Sequence, residues 1–235
     1  MDMREEVEKF LLERLKGEYY EKFQYSYDSG RKIRPLMMQK ICERFGKDFG
    51  NLSTAAACVE IVHCASLMHD DIIDQDDERR GKPSFHKKFG LREGVLYGDY
   101  FATLSWELAS EHYPKPIQLA FIRTMREVIE GQIMEVKGVN TIEEYLEYIR
   151  KKTSSLFYLS AAIPALMFDI KNKNIQIFGR EFGIAFQIAN DLKKKAKEQF
   201  TILKFMSRKE AEKFLRDKIT YIDSLNIVNT KTLGF

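Results

Sequence analysis

The sequence predicts an all-α protein, a single-domain helical bundle, and three observations carry that prediction. Apolar residues recur at three- and four-residue spacing along almost the whole chain. Glycine and proline are scarce, at 13 and 5 of 235 residues. No Asn-Gly or Asp-Gly pair stands between alternating runs, so hairpin signals are missing. The periodicity places helices at roughly 2–17, 33–46, 52–77, 91–112, 116–137, 141–168, 174–199 and 207–225. With 44% hydrophobic residues, residues 1–235 read as one domain large enough to bury a sizeable core.

The breaks between helices have local causes. Ser29-Gly30 precedes the second helix, and Asn51 or Ser53 is placed to cap the third. Gly81-Lys82-Pro83 follows that helix, and Pro114 and Pro116 separate the next two. Thr141 with Glu144 three residues on reads as a capping box. Pro164 is expected to kink or end the helix around it. No internal repeat, low-complexity segment or linker interrupts the pattern.

Bulk composition narrows the function classes. A net charge of +3 gives no case for nucleic acid, which calls for a concentrated basic face. The three cysteines, Cys42, Cys58 and Cys64, form no C-x-x-C pair, which argues against a disulfide framework or structural zinc. The acidic start MDMREEVEKF does not read as a signal peptide, and no run of about 18 apolar residues predicts a membrane span. A cytoplasmic protein is the expectation.

The densest chemistry lies in His63-Cys64-Ala65-Ser66-Leu67-Met68-His69-Asp70-Asp71-Ile72-Ile73-Asp74. On a helix Asp70 and Asp74 share a face, Asp71 lies about 100° around, and His63 falls on nearly the same stripe. Crowded carboxylates repel one another, and a divalent cation relieves that repulsion. Magnesium prefers a few carboxylate oxygens together with waters and phosphate oxygens, so the cluster suits a metal–diphosphate complex. Taken alone, such a cluster is more often a solvated acidic helix end. Its neighbours shift the balance, because Arg79-Arg80-Gly81-Lys82-Pro83 brings two guanidinium forks suited to phosphate. A second basic turn, Gly30-Arg31-Lys32-Ile33-Arg34-Pro35, opens the second predicted helix, where backbone N–H groups and the helix dipole also favour an anion.

Taken in order, these pieces resemble the trans-isoprenyl diphosphate synthase (polyprenyl synthetase) family. Gly30-Arg31-Lys32-Ile33-Arg34-Pro35 matches its G-K-R-x-R-P stretch with lysine and arginine exchanged. Glu60, His63, Ser66, Leu67, Asp70, Asp71 and Asp74 match E-x-x-H-x-x-S-L-x-x-D-D-x-x-D. Arg79 through Pro83, His86, Phe89-Gly90, Gly98-Asp99, Gly131-Gln132, Lys152-Thr153 and Phe186-Gln187 follow in the family's order, so the likeness covers residues 25–192.

The resemblance implies the helical fold of the class I isoprenoid synthases and a magnesium-dependent prenyl transfer. Asp70, Asp71 and Asp74 would hold Mg2+ on an allylic diphosphate bound by Arg79, Lys152, Thr153 and Gln187. Arg31, Arg34, His63 and Arg80 would hold isopentenyl diphosphate. A homodimer, or a heterodimer with a full-length synthase, is implied in the same way. Small residues one turn below the aspartates, Ala65 and Ser66, with Val62 and Cys58 deeper, leave room for a product of about twenty carbons or more.

The chain departs from the family after Phe186-Gln187. Where a second D-D-x-x-D is expected, it reads Asn190-Asp191-Leu192-Lys193-Lys194, and the lid that follows in the family is missing, so the domain is shortened after residue 192. Three readings stay open. Lys194 stands where a metal ligand is expected and could act as a tethered cation. The chain could be a weakly active subunit of a heteromeric synthase. Or Asn190, Asp191 and Glu198 could ligate metal as in the N-D-x-x-S-x-x-x-E motif of class I terpene synthases, although lysine fills the serine position. If Lys194 replaces a metal, Lys194→Ala abolishes turnover in a prenyl-transfer assay, and retained turnover rejects that role.

Overall fold

The structure is a computed structural model that describes residues 3–28, 30–193 and 201–235. Its described residues form eleven α-helices and one two-stranded antiparallel hairpin. The chain divides into two compact units, Met1–Gln39 with Asp48–Gln118, and Lys40–Lys47 with Leu119–Phe235.

The first unit contains α1 (Met3–Arg14), α2 (Gly17–Tyr27), the start of α3 (Ile33–Arg44), α4 (Ser53–Ile73), β1 (Glu78–Arg79), β2 (Lys82–Pro83), α5 (Phe85–Phe89) and α6 (Leu91–His112). At its centre lies α4, which is buried without interruption from Ala55 to Val62. Small side chains let α6 come close: a Cβ added at Gly98 would meet the His69 ring at 2.2 Å, and Ser105 Oγ donates to Cys58 O at 2.8 Å. The segment Phe49–Ile73 is long and apolar enough to cross a membrane by composition, but 67% of its most apolar stretch is buried inside the protein. Its apolarity therefore serves the core.

Three expectations change in this unit up to the start of α4, and beyond it the helix expected at 52–77 ends at Ile73, ahead of the β1–β2 hairpin. The helix expected at 2–17 stops at Arg14, and a further helix, α2, follows from Gly17, whose φ of +53° breaks the line. Its buried residues Phe23 and Tyr27 are four apart, a helical signal hidden among Tyr19, Tyr20 and Tyr25, which are less buried. Neither Asn51 nor Ser53 caps α4 with its side chain. A 3₁₀ turn, Phe49–Leu52, runs straight into the helix, and the Tyr113 hydroxyl accepts from Ala55 N at 2.9 Å, so a distant residue satisfies an orphan donor.

The second unit is built from α7 (Lys115–Lys137, from Leu119 on), α8 (Ile142–Lys152), α9 (Ser154–Met167), α10 (Asn174–Asp191) and α11 (Arg208–Ser224). The helix expected at 141–168 is two helices that meet at Thr153. Thr141 Oγ1 accepts from Glu144 N at 3.1 Å as expected, while the Glu144 carboxylate reaches one residue further back, to Asn140 N at 2.7 Å. Pro164 lies inside α9, which ends three residues later.

Helices α9 and α10 pack through Phe157 against Phe182 and Phe186, with ring centroids 5.2 and 5.1 Å apart. Two glycines permit that approach. A Cβ at Gly183 would stand 2.5 Å from Ser154 Cα, and one at Gly179 2.6 Å from Ala161 Cβ. Helix α10 ends at Asp191, and residues 194–200, which complete the expected helix, lie outside the described residues.

Because the Gly183 contact is with backbone, which cannot swing away, Gly183→Ala should destabilise the protein by about 1–3 kcal/mol. Chemical denaturation reads this as a lower midpoint.

Candidate active site

In the first unit the acidic cluster occupies the C-terminal end of α4. Asp74 is the cap residue, and its N–H donates to Asp70 O at 2.8 Å. A helix C-terminus carries partial negative charge, so carboxylates there call for a compensating cation. The β1–β2 hairpin supplies one. Arg80 and Gly81 take φ of +56° and +78°, the signs that a type I′ turn needs at its two central residues, with arginine where Asn or Asp is usual. The turn sends Arg79 back onto the helix. Its Nε donates to Asp71 Oδ1, and its Nη2 lies 3.7 Å from Asp70 Oδ2 and 3.6 Å from Asp76 Oδ2. Burial pushes the Asp71 carboxyl above the usual carboxylate range, although Arg79 pulls the other way. Asp74 is exposed and Asp70 is partly so. Two hard oxygen donors one helical turn apart, with access for water, fit a magnesium ion.

The basic turn gathers on the other side of α4's polar stretch. Lys32 has φ of +54° and is only 8% exposed, and Arg34 is 9% exposed at the start of α3. The Lys32 ammonium donates to Tyr27 O and lies 2.8 Å from the Tyr27 ring centroid. Burial pulls Lys32 down to about 8 and Arg34 down to about 10. Glu60, Cys64 and Arg80 share this pocket. Glu60 Oε1 is buried and makes no hydrogen bond among the described residues, and burial pushes its carboxyl up. Burial, reinforced by Arg34, Arg80, Arg79 and Lys32, drives His63 well below its ordinary value, so its imidazole is neutral near pH 7. Arg31 stands exposed at the rim. A cleft beside these groups is lined by Tyr25, Asp71, Arg79, Arg80, Lys82 and Ser84.

The second unit assembles its own polar set where α8 meets α9. A Cβ at Gly131 would lie 2.4 Å from Lys152 N, so α7 presses directly on that junction. The Lys152 ammonium pairs with Glu135, which also accepts from Gln132 Nε2 at 2.9 Å and from the Tyr148 hydroxyl. Thr153 Oγ1 donates to Gln187 Oε1 at 2.9 Å, and Gln187 Nε2 donates to Asp191 Oδ1 at 2.8 Å. Asp191 Oδ2 accepts from the Tyr145 hydroxyl at 2.5 Å and from Ile202 N at 3.0 Å. Burial and the Asp191 charge push the Tyr145 phenol far up, so it stays a donor. Asn190 is partly buried, and its carbonyl accepts from Lys193 N at 3.0 Å. Ser29, Lys194 and Glu198 lie outside the described residues.

Each unit thus brings together most of the residues singled out in its part of the sequence. Two of these polar groups had been given no role. Lys32 lies in the anion-favouring basic turn, where only Arg31 and Arg34 carry a role, although a lysine beside a glycine and two arginines was the available signal. Glu135 lies three residues after Gln132 on α7, a helical spacing that was legible.

The polyprenyl synthetase family model matches residues 16–207. The chain belongs to that family. It is 34% identical over 188 residues to a geranylgeranyl diphosphate synthase of Methanosarcina mazei, covering 74% of this chain and 58% of that one. It is 34% identical over 201 residues to a geranylgeranyl pyrophosphate synthase of Geoglobus acetivorans, covering 80% and 63%. The chain therefore spans little more than half the length of the curated relatives it matches. Among solved structures, a geranyltranstransferase from Thermotoga maritima superposes with a TM-score of 0.87 at 28% identity, covering 98% of this chain and 93% of that one. An isoprenoid synthase family member from Thermotoga neapolitana gives 0.88 at 28% identity, covering 98% and 94%.

A lysine buried among Arg80, Glu60, Cys64 and Asp28 gives a pH test. Its folded value lies below the unfolded one, so the cost of burying the charge is present below about 8 and relieved as pH rises through that value. An anion in the pocket needs the charged form. Inorganic pyrophosphate affinity should fall as pH passes about 8, and Lys32→Arg should flatten that profile in calorimetric titrations.

Proposed function

We propose that the chain condenses isopentenyl diphosphate with an allylic diphosphate to give a trans-isoprenyl diphosphate, with magnesium as cofactor. The observation that carries the reading is Arg79 folded back onto Asp70 and Asp71 at the end of α4, which sets carboxylates and a guanidinium side by side. A metal–diphosphate complex calls for that mixture of charges.

In this reading Asp70, Asp71 and Asp74 hold magnesium, and Arg79, Lys152, Thr153 and Gln187 bind the allylic diphosphate. Arg31, Arg34, His63 and Arg80 hold isopentenyl diphosphate, joined by Lys32. When bound, magnesium supplies Lewis-acid charge that stabilises the departing diphosphate. Arg79 shares that work by donating to the diphosphate oxygens as charge builds on them. The neutral His63 positions its ligand without adding to the surrounding positive charge. Apolar faces of the helices keep water from the allylic cation. The isopentenyl double bond attacks that cation, and the departed diphosphate takes the proton released.

Small buried residues below the aspartates, Cys58, Val62 and Ala65, support a product of about twenty carbons or more, in keeping with relatives named geranylgeranyl and octaprenyl diphosphate synthases. The reading places the enzyme in the cytoplasm, as a homodimer or beside a full-length synthase.

Incubation with magnesium, isopentenyl diphosphate and an allylic diphosphate should yield longer diphosphates, and Asp70→Asn should cut turnover by at least about 100-fold. Hydrocarbons or alcohols formed without isopentenyl diphosphate would instead mark a terpene synthase. Product formed only after a partner synthase is added would mark a subunit.

A further inference from the structure

We infer that Asp191 is a positioning residue, which clasps the chain at Ile202 onto α10 and aims the Gln187 amide, and that it ligates no metal. The inference leans on the proposed function only for what Gln187 is aimed at, a diphosphate oxygen.

The geometry is one continuous chain of donors and acceptors. Tyr145 of α8 donates to Asp191 Oδ2 at 2.5 Å, and Ile202 N donates to the same oxygen at 3.0 Å. Gln187, one helical turn before Asp191, donates to Oδ1 at 2.8 Å. At its other end the Gln187 carbonyl accepts from Thr153 Oγ1 at 2.9 Å. Both ends of the amide are therefore fixed, which rules out a flip. Its second N–H has no acceptor among the described residues, and a fixed donor of that kind serves an anionic ligand.

Asp191 is 0% exposed, whereas hydrated magnesium keeps several waters and needs room for them. Ile202 is equally buried, in a cluster with Tyr145, Ile149 and Ile188, so the clasp holds its backbone while the core holds its side chain. The neighbouring sequence agrees, since Asn190 and Lys194 remove the two carboxylates that would share a metal with Asp191. The surviving aspartate is the one whose charge the surrounding hydrogen bonds require. Three donors among the described residues converge on it, and replacing it leaves them competing for a weaker acceptor.

Asp191→Asn and Tyr145→Phe test the clasp in the full chain, the second variant guarding against a failure of the first to fold. Manganese bound in the presence of inorganic pyrophosphate, counted by electron paramagnetic resonance, should match the wild type in both variants. Loss of one ion in Asp191→Asn but not in Tyr145→Phe overturns the inference. The Gln187 side-chain amide resonance, assigned by its disappearance in Gln187→Glu, should move in both variants, and Tm should fall by roughly 3–10 °C. An unmoved resonance or an unchanged Tm in Tyr145→Phe also overturns it. Should the wild type bind no manganese–pyrophosphate at all, the proposed function fails, while the resonance and the Tm still decide the clasp.

Discussion

Arg79 bound to Asp71 is the contact on which the chemistry of the first unit depends. Helix α4 ends in carboxylates at the negative pole of its own dipole, an arrangement that repels itself. One guanidinium, carried on the strand just before a two-residue turn, reaches Asp70, Asp71 and Asp76 and holds the cluster together. The hairpin is therefore more than a connection. Arg80 accepts a left-handed backbone conformation, rare for a side chain of that kind, and Arg79 faces the helix as a result. A polar end on so apolar a helix is sustained because the rest of α4 is locked by close packing against α6.

Buried charge is the common theme of both units. Lys32 and Arg34 are taken out of water near Glu60, while Lys152 is held by Glu135. Burying a charge is costly unless partners replace the lost hydration. A pocket that retains more cation than carboxylate, as around Lys32, Arg34 and Arg80, is stabilised further by an anion. That is a physical reason for an anionic ligand which does not depend on likeness to other proteins. Asp191 applies the same rule in the opposite sense, as a buried anion stabilised by Tyr145, Gln187 and the Ile202 amide.

The helical architecture was legible in the spacing of apolar residues, and the long helices fall where that spacing puts them. Failures occurred where tertiary contacts override local pattern. The junction at Thr153 is invisible in a sequence that stays helix-favouring through 141–168, and it falls where α7 comes closest at Gly131, a contact no local spacing records. The cap of α4 comes from Tyr113, far along the chain, and no local reading finds it. The hairpin was missed because its turn is Arg-Gly, outside the usual pairs.

By itself the sequence determined the helical class, the acidic and basic motifs, the order in which they occur, and the loss of two carboxylates around Asp191. Each of these is a local property, written in residue type and spacing. Only the tertiary structure decided which charges are buried and what they touch: Lys32 against Tyr27, Lys152 against Glu135, Gln187 between Thr153 and Asp191. Burial and pairing depend on residues brought together from distant parts of the chain, and one-dimensional spacing carries no record of that distance.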